Sequence, residues 1–136
     1  MDKHTKIYKF LLIWMPFLLW CFFIFYLSNI PNLSTGLSNW DLILRKLAHI
    51  TEFGILYILT LRVIIHQKLF YQLKISKKNL AILFCILYAI SDEFHQGFVS
   101  MRIASCVDVL IDAAGIFIAV IICNQFKKYI PDICEM

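Results

Sequence analysis

Residues 80–96, LAILFCILYAISDEFHQ, decide how this chain folds. Leu80 to Ile90 is apolar without a break. At a rise of ~1.5 Å per residue it covers about 16 Å as a helix, only half of the ~30 Å hydrocarbon core of a bilayer. A backbone in lipid must satisfy its amides within the helix. The segment therefore has to continue as helix through Ser91, Asp92, Glu93, Phe94, His95 and Gln96. Ionisable groups at bilayer depth cost about 2.5–3.5 kcal/mol or more each, so a span that keeps several of them does so for a purpose.

Three further apolar runs flank this one: Phe10 to Leu27, Leu47 to Ile65 and Cys106 to Cys123. With 136 residues, 61% hydrophobic and 16% charged, and a mean hydropathy of +0.77, the composition is that of a membrane protein and excludes an ordinary soluble domain. The expected fold is all-α: a four-helix integral membrane bundle forming one domain over residues 1–136, with helices at about 8–30, 45–65, 79–98 and 105–126. The first run follows Lys3, Lys6 and Lys9, like the basic start of a signal peptide. Its apolar stretch is too long for that, and no small-x-small cleavage site follows. It reads as a retained helix bent at Pro16.

Orientation comes from the basic residues. Lys3, Lys6, Lys9, Lys68, Lys74, Lys77, Lys78, Lys127 and Lys128 fall on one side, and Arg45, Lys46 and Arg102 on the other. Nine against three predicts that both termini are cytoplasmic. Arg62 can snorkel to the inner boundary, and His4 and His66 read as solvated on that side. The net charge of +4 is thus mostly topology. Its lysines are split among three short segments, which argues against nucleic acid as a partner. Cys21, Cys85, Cys106, Cys123 and Cys134 contain no CxxC pair; they imply neither a disulfide framework nor a thiolate metal site. Trp40 and Tyr26 near the outer boundary, with Tyr8 and Tyr129 near the inner one, suit an aromatic belt.

Helical spacing places the polar residues at matching depths and on definite faces. Asp92 lies roughly 21 Å from Lys78, Asp112 roughly 22 Å from Lys127, and Glu52 roughly 15–21 Å from the inner end of its helix. Arg45, His49 and Glu52 share one stripe, as do Ser105, Asp108 and Asp112. Asp92, His95 and Gln96 share a face of the third helix, whereas Glu93 sits about 100° round from Asp92. An ideal helix cannot aim Glu93 and His95 at one point. If the stripes converge, five carboxylates (Glu52, Asp92, Glu93, Asp108, Asp112) face Arg45, Lys46 and Arg102, with His49 and His95 able to titrate. The excess of two negative charges can be balanced by protonation, by imidazolium or by a divalent cation.

Each feature also has a plainer reading. The acids can pair with Arg45 or Arg102 simply to tie helices together. Ser91 and Ser105 suit packing or capping better than nucleophilic attack, because no Ser-His-acid order is discernible. Gly115 suits close helix contact.

Arg45-Lys46-x-x-His49-x-x-Glu52-Phe53, then Ser91-Asp92-Glu93-Phe94-His95-Gln96 and Phe98, then Arg102-x-x-Ser105-x-x-Asp108-x-x-x-Asp112-x-x-Gly115 resemble the VanZ-like membrane proteins. The resemblance runs from about Arg45 to Ile118, roughly half of the chain; the first helix matches in general character only. Relatives often carry Pro-Gly before the arginine, where this chain has Ser100-Met101. The resemblance implies a cell-envelope protein of the bacterial cytoplasmic membrane, with an association to teicoplanin (glycopeptide) resistance. It does not carry an established reaction.

Two functions compete. In the first, the pocket opens outward and binds the headgroup of a membrane lipid or lipid-linked cell-wall precursor. Arg45, Lys46 and Arg102 would meet phosphate, while Gln96 and the acids meet hydroxyls or amides. In the second, a divalent metal held by some of His49, Glu52, Asp92, His95 and Asp108 activates water, making a membrane hydrolase or transferase of an envelope lipid. A proton conductor is a third class; the continuously apolar inner halves of the third and fourth helices count against it. No phosphate-cradling loop, nucleophile elbow or nucleotide motif is present, so no organic cofactor is implied.

Overall fold

The structure, a computed structural model, describes residues 3–31, 39–67, 70, 75–100, 102 and 104–126. Four helices follow one another: α1 (Lys3–Ser28), α2 (Asn39–His66), α3 (Lys77–Gln96) and α4 (Cys106–Phe126). No strand occurs among the described residues. Lys68, Lys74, Lys127, Lys128, Tyr129 and Cys134 lie outside them.

The helix ends follow from local chemistry. Helix α2 starts at Asn39, ahead of the expected position, since Asn39 to Leu44 contains no Gly or Pro and Asp41 places an acid in the first turn. Ser76 caps α3, its hydroxyl accepting from the Asn79 amide at 3.2 Å. Gly97 closes α3 two residues sooner than expected, its N–H bonding back to the Glu93 carbonyl at 3.2 Å. Pro16 lies inside an unbroken α1.

By length and composition, Ile7–Ser28, Trp40–His66 and Cys106–Phe126 are able to cross a membrane. Helix α3 is shorter at 20 residues, about 30 Å of helix, and its last turns are polar. Hydrogen bonds between helices fix the alternation of directions. The end of α1 meets the end of α3 through Ser28 and Asp92. The start of α2 meets the start of α4 through His49 and Asp112, and Lys78 at the start of α3 reaches Asn124 at the end of α4. The helices therefore run up, down, up and down.

Each helix buries one stripe. That of α4 is Asp112, Gly115, Ile116, Ala119 and Cys123; that of α3 is Ala81, Cys85, Ala89, Asp92, Glu93 and Gln96. Their small residues let backbones approach, as membrane bundles require. Helix α2 is the most enclosed of the candidate spans, burying Phe53, Leu56, Tyr57, Leu61, Val63 and Ile64. Helix α1 packs at the edge through Trp14, Phe17, Trp20, Ile24 and Ser28. The large apolar side chains Leu19, Phe22, Tyr26, Phe94, Leu110 and Phe117 remain exposed on the outside, the arrangement expected for lipid-facing surface. On α2, α3 and α4 the buried stripe changes from apolar to polar at the same end of the bundle.

Candidate functional site

Where the stripes turn polar, two hydrogen-bonded clusters sit side by side. The first lies between α1 and α3. The Ser28 hydroxyl donates to Asp92 Oδ1 at 2.6 Å. Gln96 Nε2 donates to Asp92 Oδ2 at 2.8 Å and to Ser28 Oγ at 3.3 Å. All three side chains are buried, and both Asp92 oxygens act as acceptors, so the cluster is closed on itself.

The second cluster joins α2, α3 and α4. His49 Nδ1 lies 2.9 Å from Asp112 Oδ1. Glu93 Oε2 accepts the Ser105 backbone N–H at 2.9 Å. Ser105 is itself the N-cap of α4, its Oγ accepting from the Val107 amide at 3.2 Å. A carboxylate of α3 thus sits at the positive end of α4. The remaining oxygens, Glu93 Oε1 and Asp112 Oδ2, are buried without a hydrogen-bond partner. One ligand-type atom from each of His49, Glu93 and Asp112 falls within a 4.8 Å sphere of mutual distances.

Gly115 sets the closeness of this second cluster. A Cβ there would overlap the Ile50 carbonyl oxygen and stand 2.9 Å from its carbon, one residue from His49 and three from Asp112. Absence of a side chain lets α4 press against α2, and that contact brings the imidazole to the carboxylate.

Above the acids lies the basic rim. Arg102 donates from Nε to the Ile30 carbonyl at 3.0 Å and from Nη2 to the Leu27 carbonyl at 2.9 Å. Leu27 and Ile30 flank the C-terminus of α1, where a cation is favourable. Partial burial lowers the Arg102 guanidinium from its ordinary value, Asp92 opposes that, and the like charge of Arg45 adds to it. Arg45 itself is exposed and Lys46 half-buried. Glu52 is half-buried and within electrostatic reach of His49, Asp92 and Arg102, so it bridges rim and clusters. Asp108, also half-buried, acts on His49 and Glu93.

Of the expected residues, then, His49, Glu93 and Asp112 meet directly, with Ser105 behind Glu93. Asp92 and Gln96 meet Ser28 instead. The His95 ring lies against Phe25 of α1, with centroids 4.6 Å apart, and takes no part in the triad. The conflict between Glu93 and His95 is resolved in favour of Glu93. As a metal set, the geometry groups His49 with Glu93 and Asp112, whereas residue type offers Glu52, Asp92, His95 and Asp108 beside His49. Sequence reasoning missed Ser28. Its one signal is that it follows Ile24 by four residues, on the face α1 packs inward.

The sequence profile of the VanZ/LLP1 family matches residues 5–127. The chain belongs to the VanZ/LLP1 family. The match takes in α1 as well as the polar blocks of α2, α3 and α4, so the whole bundle is the family's domain. No curated protein and no solved structure matches the chain. In this VanZ/LLP1 membrane protein, many of the residues that carry the resemblance, among them His49, Asp92, Glu93, Gln96, Arg102 and Asp112, build the two clusters and the rim.

Proposed function

We propose that this VanZ/LLP1 protein binds the phosphate-bearing headgroup of a cell-envelope lipid, or of a lipid-linked cell-wall precursor, at the outer face of the bacterial cytoplasmic membrane. The observation that carries the reading is the pair of guanidinium groups at the rim. Exposed Arg45 and half-buried Arg102 stand within electrostatic reach of one another and of Asp92, Glu93 and Glu52. Such a pair gains from an anion placed between them, and guanidinium geometry suits phosphate. Two of the five N–H groups of Arg102 are directed at α1 carbonyls, which leaves three for a ligand. Lys46 adds a point charge one residue from Arg45. Occupying such a headgroup would alter its access to a glycopeptide, which is how the family's association with teicoplanin resistance would extend to this chain.

The test is binding of an undecaprenyl-phosphate lipid to the protein in nanodiscs of zwitterionic lipid. Arg45→Ala/Lys46→Ala should weaken binding by about tenfold or more, equivalent to about 1.4 kcal/mol. Unchanged affinity in a folded variant rejects the reading. A metal-assisted hydrolase or transferase acting on the same lipid is the second reading. It is favoured by the unpartnered oxygens of Glu93 and Asp112 beside His49.

A further inference from the structure

We infer that His49, Glu93 and Asp112 form a binding site for one divalent transition-metal ion of the zinc or manganese class. The site lies below the rim and goes beyond the headgroup reading without resting on it, since its ligands are the deep acids and not the arginines.

Three observations converge. The first is convergence itself: three ligand-type groups from three helices place one atom each within 4.8 Å of one another. His49 Nδ1 lies 2.9 Å from Asp112 Oδ1, so the imidazole and the carboxylate already stand side by side at this point. The second is unmet bonding capacity. Glu93 and Asp112 are 4% and 0% exposed, yet each keeps one oxygen without a partner. A buried carboxylate oxygen left bare costs more than a bare neutral group, and native interiors rarely tolerate it. Two such oxygens beside the same imidazole describe a place for a cation.

The third is that the ligands are held from behind. Glu93 is fixed through its other oxygen by the Ser105 N–H, and Asp112 stands one turn from the Gly115–Ile50 contact. Supporting contacts of this kind orient metal ligands and are a normal part of such sites. Charge agrees as well. Two carboxylates and a neutral imidazole carry two negative charges, which a divalent ion cancels in a medium where net charge is costly. Glu52 and Asp108 add negative potential at His49. Arg102 of the rim is engaged with the carbonyls of α1. Mixed imidazole and carboxylate ligation favours zinc or manganese over calcium or magnesium, which prefer oxygen alone.

The experiment is metal loading of the purified full chain. Protein stripped with chelator is equilibrated with Zn²⁺, Mn²⁺ or Mg²⁺, desalted, and its metal measured by elemental mass spectrometry. About one zinc or manganese per chain is expected, with Mg²⁺ weaker. Glu93→Gln and Asp112→Asn should each bind at least about tenfold more weakly, while His95→Ala should bind as the unaltered chain does. If those two variants fail to fold, Co²⁺ loading of the unaltered chain decides. Visible ligand-field bands without a thiolate charge-transfer band support an imidazole–carboxylate site. A thiolate band assigns the metal to the cysteines and overturns the proposal. So does the absence of stoichiometric metal, full retention in folded Glu93→Gln, or loss in folded His95→Ala.

Discussion

Gly115 is the residue on which the second cluster depends. A methyl group there meets the Ile50 backbone, which cannot retreat as a flexible side chain can. Gly115→Ala should destabilise the bundle by about 1–3 kcal/mol, the usual cost of overpacking, seen as a lower melting temperature in detergent. Gly54→Ala is a built-in comparison, because its Cβ would stand 3.3 Å from the Gly115 carbonyl oxygen; its loss should be smaller, and equal losses would contradict the packing argument. Ser28 offers a second test. Ser28→Ala removes the hydroxyl that serves Asp92. A double-mutant cycle with Asp92→Asn should show coupling of about 0.5–3 kcal/mol, whereas simple additivity would mean the bond contributes nothing. The sequence alone marks Gly115 as a contact residue, since a glycine in a membrane helix suits close approach of a neighbouring helix. It could not pair Ser28 with Asp92, because 64 residues separate them and no spacing rule spans two helices.

At the scale of elements, helix ends here are completed by side chains from other elements. Glu93 of α3 accepts from the Ser105 amide at the start of α4, and Arg102 in the α3–α4 connection donates to carbonyls at the end of α1. A hydrogen bond to a charged group contributes about 1.5–3 kcal/mol. Arg102→Ala should therefore loosen the last turn of α1, with faster amide exchange at residues 25–30 measured by hydrogen–deuterium exchange. Arg102→Lys should recover only part of the protection, since an ammonium lacks the guanidinium fork; full recovery would reduce Arg102 to a simple charge at a helix end. For the same reason, loss of headgroup binding in an Arg102 variant would not separate ligand contact from α1 docking. Arg45, exposed on α2, is the cleaner probe.

Across the whole molecule, polarity is divided along the bundle axis. The half away from the site buries Phe17, Leu61, Ala81, Cys85, Ala119 and Cys123, with Thr60 and Cys85 sharing a weak Sγ–Oγ1 contact at 3.7 Å. Confinement of the polar groups to one end counts against a proton path through the bundle. The proposed orientation is open to direct test at Cys106, exposed at the first position of α4. A variant keeping only this cysteine should react with a membrane-impermeant maleimide added to intact cells. Labelling that requires permeabilisation would place the polar end in the cytoplasm and remove the outward-facing reading.

Periodicity and depth were legible in the chain itself: four helices, and polar residues carried toward the same end by three of them. These depend on residues near one another in sequence, where a ~1.5 Å rise and ~100° turn relate each position to the next. Whether Glu93 or His95 faces the pocket was open, because periodicity sets the angle between two side chains of one helix but not the rotation of that helix against its neighbours. Packing of small residues decided it, bringing Glu93 to α4 and leaving His95 on Phe25. The partners of Arg102 are backbone carbonyls, which every residue carries and no letter distinguishes. Only tertiary structure chose among them, since the free energy that selects them arises from contacts between helices.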